Sequence, residues 1–555
     1  MSDLKQSTSW LNVLRSQRSG FIAFIFVLLL FAFEEISFGG AQLISIASIF
    51  FEPWVATGGI VDAHSIIPGI LSTATICILF VITLISLNSS RRVQIIYFVI
   101  FSLAILIQFG YWNALNRFFV TSDFITNITS PFSFWVDSIS RYFNPVAFIP
   151  ILFYSGVLVL SKTGRNWGWK GALSVFALYF VLGSASVGLG HPNYPSLSVP
   201  AFYRSLSQVA IGQITPAPQR DTVKINASNP PKNNIVLIID ESVRRQNLSL
   251  YGYPRNTTPL LDNLYASGNL GYWPDAIAAA TCSVVSNAII MTGLHDFPDS
   301  DQRLKTTPTI FQYAKGMGYT THYIDGQAST LWNSLQNSDL LFIDDYLNLT
   351  RMKYPEPLEI DGVIGDHLSN ILNSQSGQFI VVNKVGVHLP YQRSFPEGEF
   401  IWTDRPPQLA REAFYDRVNN YDSAIAYNSQ SFFGPLLANR DFLAHSVILY
   451  ASDHGQNLGE LDKDYSHCGS EKIEVEIPLM IMGDVNFDAI DFTYPAHHAN
   501  IFPTLLDLMD VPLESHANIY APSPLNAKLT DAQTRFYLPS AADIFTDSPL
   551  PYDDE

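Results

Sequence analysis

Cysteine and positive charge are both scarce in this chain. Of 555 residues only three are cysteines, Cys77, Cys282 and Cys468, which excludes a fold stapled by many disulfides. Cys77 lies in an apolar run and reads as a small core residue. Cys282 and Cys468 could form one bridge, but spacing does not fix pairing, and the reading favours two free thiols. Lysine and arginine number 32 against 49 acidic residues, a net charge of −17. The deficit is uneven: residues 1–200 hold ten basic and seven acidic residues, leaving 22 against 42 beyond them. So acidic a second part excludes the nucleic-acid backbone as a partner, because that surface must be basic. Solubility or metal binding accounts for the acid better.

Hydrophobic residues, in contrast, are abundant at 48%, with a mean hydropathy of +0.15, beyond what a soluble domain of this length carries. Five apolar stretches account for the excess, at about 20–38, 66–87, 92–112, 144–161 and 171–190. Each approaches the roughly 20 residues that cross a bilayer as a helix. The first lacks a small-residue cleavage site and four more follow, so it reads as an anchor. Lys5, Arg15, Arg18, Arg91, Arg92, Lys162, Arg165 and Lys170 fall on one side of the five spans, with only Arg117 and Arg141 on the other. The positive-inside rule then puts everything after about residue 190 outside the cytoplasm. Glu34 and Glu35 close the first span and read as markers of the water interface.

Residues 191–233 are rich in Pro, Ser and Asn and read as a connector, with Ala201–Gly212 forming a short amphipathic helix. Beyond it, β-branched runs alternate with helical patterns, as in a mostly parallel sheet covered by helices. The clearest strands are expected at 234–239, 319–324, 379–384, 446–451 and 478–482. The expected order is thus a membrane domain over 1–190, a connector over 191–233 and an α/β domain over 234–555.

In such sheets ligands gather beyond the carboxyl ends of the strands. Asp240 and Glu241 directly follow NIVLII, and Asp453-His454-Gly455 follows SVILYA almost directly. Two carboxylates and an imidazole at one sheet edge compose a Zn²⁺ site needing one more ligand or an open position. Each motif alone is equally an ordinary cap or turn. Between them, AAATCSVVSNAIIMTG (278–293) offers hydroxyls at the start of a helix, whose N-terminal dipole favours a developing anion. An N-capping Thr or Ser is the competing explanation.

Taken together, the segments IVLIIDES, LYGYPRNTTPLLDNL, TCSVVSNAIIMTG, VGVHLPY, NNYDSAIAY, ASDHGQNLGE, SHCGS and NIFPTLLDLMD, in that order, resemble the alkaline phosphatase and sulfatase superfamily. Within it they resemble the membrane-bound phosphoethanolamine transferases, which also place five membrane helices before a periplasmic catalytic domain. The resemblance implies that Ser283 is the nucleophile, since the family's matching Ser and Thr-Gly stand three and nine residues later, here Ser286 and Thr292. Thr281 ranks second and Cys282 third; no Pro-x-Arg follows Cys282, which argues against formylglycine. It further implies Glu241, Asp453 and His454 as zinc ligands with Ser283 completing the set, Asp240 as a neighbouring acid that sulfatases use where two acids are paired, and His388 and His467 as holders of the phosphate and carriers of its protons. His498 reads as structural. The implied reaction moves phosphoethanolamine from phosphatidylethanolamine, a membrane lipid, to lipid A, a core sugar or another envelope glycan through a phospho-serine, in a bacterial inner membrane. The alternatives are transfer of phosphoglycerol, hydrolysis as a phosphodiesterase or sulfatase, and a non-catalytic regulator. Such relatives carry several disulfides in the exported domain, whereas this chain has at most one.

Overall fold

The computed structural model divides the chain into two compact units, Met1–Pro216 and Ala217–Glu555. In the first it describes residues 21–34, 36–37, 77, 79–81, 83–87, 89–115, 119, 143–160, 198–199, 201–203 and 205–207. In the second it describes 219–225, 231–294, 300–328, 335–353, 355–398, 402–406, 415–460, 467–512, 520–532, 534–539 and 549–553.

Among the described residues of the first unit, one helix is long and apolar enough to cross a membrane, within Arg91–Leu115. Phe21–Glu34 and Pro145–Val159 are shorter apolar helices. The expected span at 171–190, most of that at 66–87, Glu35, and the basic residues other than Arg91 and Arg92 lie outside the described residues. Aromatic rings knit the three helices together: Phe26 sits 4.9 Å and Phe101 4.7 Å from the ring of Tyr154, whose hydroxyl is 2.6 Å from Ser86 Oγ. Two expectations change here. Cys77 is exposed rather than a core residue. Glu34 is fully buried, not at a water interface, and its carboxylate accepts hydrogen bonds from the backbone N–H of Ser198, at 2.9 Å, and from the Ser198 hydroxyl. Within the stretch expected as an amphipathic helix, residues 201–203 and 205–207 are helical, and the Tyr203 hydroxyl donates to Ile100 O.

The second unit is built on strands β1 (Asn234–Asp240), β2 (Leu270–Trp273), β3 (Ala276–Ile277), β4 (Thr320–Asp325), β5 (Asp345–Leu347), β6 (Gln378–Asn383), β7 (Ser446–Ser452), β8 (Leu479–Gly483), β9 (Ala496–His497), β10 (Phe536–Tyr537) and β11 (Leu550–Pro551). Seven of them make one sheet in the order β2-β8-β7-β1-β6-β4-β5. Pairing is parallel from β7 through β1, β6 and β4 to β5. β8 alone reverses, running antiparallel to both β7 and β2. The sheet is therefore mostly parallel, as the alternating strands and helices imply.

Strand alternation divides β1 between two cores. Ile235, Leu237 and Ile239 enter one with the helix Ile501–Leu508, whereas Val236 and Ile238 enter the other with Ile360–Ser374 and Tyr415–Leu436. A strand covered on both faces has no polar side to show, so β1, β6 and β7 are buried at every position. This burial pins the strand register, because a one-residue slip would exchange the two faces. It thereby fixes where the polar residues after each strand emerge.

Candidate active site

β1 and β7 are neighbours in register, Asp240 opposite Ser452, so the residues that follow them leave the sheet side by side. The Asp453 N–H donates to Asp240 O at 2.9 Å across that boundary. Glu241, Asp453 and His454 converge there, all buried, with their ligand atoms within 4.8 Å of one another. Ser283, the first residue of the helix Ser283–Thr292, brings its Oγ to 3.2 Å from His454 Nε2 and to 3.2 and 3.4 Å from the Glu241 oxygens. His454 Nε2 is in turn 3.5 Å from Glu241 Oε1 and 3.7 Å from Asp453 Oδ2.

Local hydrogen bonds aim each of these atoms. His454 donates from Nδ1 to Gly455 O at 2.8 Å, which in the neutral ring leaves the Nε2 lone pair toward the cluster. Asp453 Oδ1 accepts from two backbone amides, Ser242 at 2.9 Å and His454 at 2.8 Å, while its buried Oδ2 has no hydrogen-bond partner. Glu241 accepts from the Ser242 hydroxyl on Oε1, at 2.6 Å, and from the Gln327 amide on Oε2, at 3.1 Å.

Charges in the cluster are ill matched without a cation. Burial, aided by the Glu241 charge, pushes the Asp453 carboxyl up to about 8. Burial alone would lower His454, but Asp453 and Glu241 outweigh it and raise the ring to about 9. Burial also opposes the Glu241 charge, yet His454 and His388 hold that carboxyl below the usual range. Two carboxylates thus contend for one imidazolium.

The donor set suits Zn²⁺. A tetrahedral centre with bonds of about 2.0–2.2 Å needs ligand atoms roughly 3.3–3.6 Å apart. The distances from His454 Nε2 to Ser283, Glu241 and Asp453 are 3.2, 3.5 and 3.7 Å. Asp453 Oδ2, buried and without a hydrogen bond, supplies the lone pair that such a site requires.

The competing hydroxyl and thiol are otherwise engaged. Thr281 is fully buried and donates from Oγ1 to Gly469 O at 2.9 Å. Cys282 is joined to Cys468 in a disulfide with Cα atoms 4.9 Å apart, against the expectation of two free thiols. The bridge closes because the 281 and 468 backbones already pair, Cys468 N–H donating to Thr281 O at 2.9 Å, a long-range contact that spacing in sequence does not reveal. Its ends adjoin Ser283 and His467.

His388 and His467 stand over the cluster, their ring centroids 5.5 Å apart, and His467 is 4.6 Å from His454. His388 donates from Nδ1 to Leu389 O at 2.8 Å, and His467 Nδ1 lies 3.3 Å from the Gln456 amide. Asp240 does not join them. Its Oδ2 accepts from Lys384 Nζ at 2.5 Å and from the Tyr450 hydroxyl at 2.6 Å, and its Oδ1 accepts from the Glu241 N–H. It is an internal buttress under Glu241. His498 is structural, accepting from Ala279 N–H on Nδ1 and donating from Nε2 to Ser452 O.

Sequence reasoning missed Ser242, Gln327, Lys384 and Gln456. Ser242, Gln327 and Lys384 stand within two residues of the carboxyl ends of β1, β4 and β6, so the sheet-edge rule could have found them. Gly386 was missed as well. Its φ is +61°, and a Cβ there would lie 2.5 Å from Glu241 O and 2.6 Å from Asp240 Oδ1. Only glycine lets the chain pass this close to the end of β1.

This fold is that of the alkaline phosphatase and sulfatase superfamily. The family model described as Sulfatase matches residues 233–511, half of the chain, and the chain belongs to that family. Its relatives include the phosphoethanolamine transferase EptC of Escherichia coli (strain K12), 29% identical over 247 residues, a match covering 42% of this chain and 41% of that protein. The Kdo(2)-lipid A phosphoethanolamine 7''-transferase of the same strain is 23% identical over 298 residues, covering 49% of this chain and 50% of that one. These matches span half or less of the curated relatives' length. Among solved structures, the fold is similar to that of the integral membrane lipooligosaccharide phosphoethanolamine transferase A (EptA) from Neisseria meningitidis, with a TM-score of 0.55 at 18% identity, covering 89% of this chain and 97% of that one.

Proposed function

We propose that the chain is a zinc-dependent phosphoethanolamine transferase. The observation that carries the reading is the convergence of Ser283 Oγ, Glu241 and Asp453 around His454 Nε2 at 3.2 to 3.7 Å, close to the edge length of a tetrahedral zinc site. In the reaction, Ser283 Oγ attacks the phosphorus of phosphatidylethanolamine as the alkoxide, the bond from phosphorus to the diacylglycerol oxygen breaks, and phosphoethanolamine remains on Ser283. The hydroxyl of a lipid A sugar, core sugar or other envelope glycan then displaces the serine. Glu241, Asp453, His454 and Ser283 would hold the zinc, which when bound would supply a Lewis acid to lower the serine pKa and offset charge on the phosphoryl oxygens. His388 and His467 protonate the departing diacylglycerol oxygen in the first step and take the acceptor proton in the second. The helix that Ser283 opens adds its positive end to the same point. Five spans anchor the enzyme in a bacterial inner membrane with the catalytic unit in the periplasm, within reach of a lipid donor.

The test is mass spectrometry of the full chain after incubation with zinc and isotopically labelled phosphatidylethanolamine or, in a parallel sample, labelled phosphatidylglycerol. A phosphoethanolamine adduct on Ser283, absent from Ser283→Ala, is expected. Label released to water without an adduct would point to a phosphodiesterase, an adduct formed only from phosphatidylglycerol would reassign the donor, and no zinc in wild type would favour a regulator.

A further inference from the structure

Ser242 follows Glu241 directly and touches both carboxylate ligands at once. Its N–H donates to Asp453 Oδ1 at 2.9 Å, its hydroxyl donates to Glu241 Oε1 at 2.6 Å, and its own carbonyl accepts from the Tyr421 hydroxyl at 2.7 Å. To make all three contacts it takes φ +64°, a left-handed conformation that glycine adopts at no steric cost and other residues seldom do. Ser242 is fully buried, so neither solvent nor a surface turn accounts for the strain.

Its two donors act differently on the two acids. The amide, together with the His454 N–H, occupies Asp453 Oδ1 and leaves Oδ2 as the ligand atom. The hydroxyl fixes the rotation of the Glu241 carboxylate, whose other oxygen is held by Gln327. Glycine would keep the amide and relieve the backbone. The hydroxyl is the one feature that glycine cannot supply, so a serine in this conformation marks a requirement for it.

We infer that Ser242 is a positioning residue for the metal: its strained backbone holds a hydroxyl that orients Glu241 for zinc. This inference rests on the zinc reading above. Hydrogen bonds to ligating groups commonly govern metal affinity by ten- to a hundredfold.

The experiment compares Ser242→Gly and Ser242→Ala in the full-length, detergent-solubilised chain, measuring zinc affinity by chelator competition and the melting temperature of the metal-free protein. Both variants should bind zinc about ten- to a hundredfold more weakly, and by the same factor as each other, because both lack the hydroxyl. Metal-free Ser242→Gly should melt above Ser242→Ala, because only glycine relieves the backbone. Wild-type affinity in both variants, or a loss confined to Ser242→Gly, would overturn the inference while leaving the zinc site intact. A wild type that takes up no zinc would overturn both.

Discussion

Removing the bridge between Cys282 and Cys468 tests how the unit around the site is held together. The cysteines lie 186 residues apart in sequence, so the bridge closes a long loop in the unfolded chain. The loop-entropy relation gives about 5 kcal/mol for a loop of that size, with about 2–4 kcal/mol the usual measured yield. The folded site should feel the loss less. Cys468 N–H to Thr281 O and Thr281 Oγ1 to Gly469 O hold the same two segments together without the sulfurs. The perturbation is the double variant Cys282→Ala/Cys468→Ala, alongside reduced wild type. Hydrogen exchange of the intact chain is the assay, read on the amides of β1 and β7, which are buried at every position and exchange through opening of the whole unit. Their protection should fall by about 2–5 kcal/mol in both samples, while zinc content at low temperature is retained. Unchanged protection in these strands would refute the reasoning, and so would loss of zinc at full protection.

Three further outcomes follow from the same geometry. Lys384→Met removes the cation from a pocket where the side chain is 1% exposed and Nζ lies 2.5 Å from Asp240 and 3.7 Å from Asp361; with two acids left without their cation, thermal unfolding should show a loss of about 3–5 kcal/mol. Gly386→Ala drives a Cβ against the Glu241 backbone, so zinc binding should be lost by chelator competition even where the unit still folds. Burial depresses the His498 pKa from 6.5 to about 3, so between those values the unfolded chain binds a proton that the fold refuses. Stability therefore rises with pH across that window, by up to about 1.4 kcal/mol per unit. Melting of His498→Asn against wild type at several pH values should lack this share of the slope.

Much of the sheet was legible because its strands are continuous apolar runs. The expected strands at 234–239, 319–324, 379–384 and 446–451 fall within a residue of β1, β4, β6 and β7. The run at 478–482 is also a strand, β8, but it is antiparallel, and apolar periodicity carries no direction. β2 and β5 escaped notice, being a four-residue LGYW and a three-residue DYL, too short to show a period. At the site, the acids and imidazole after β1 and β7 could be named because neighbouring strand ends are where ligands collect. Asp240 could not be separated from Glu241 in that way. Their alternation sends one side chain inward to Lys384 and Tyr450 and the other toward Ser283, and the partners stand 144 and 210 residues away. The disulfide was misread for the same reason.

The pairing of Asp240 with Ser452 would make uptake of the proposed zinc a gauge of folding fidelity. Were β7 to shift along β1 by one residue, Asp453 and His454 would move by about 3.3 Å and present the opposite faces of the strand. No tetrahedral set could form, however compact the misregistered chain. Tightly held metal would then report alignment of the two central strands, and a purification that selects for it would discard mispaired molecules that light scattering or chromatography passes as folded.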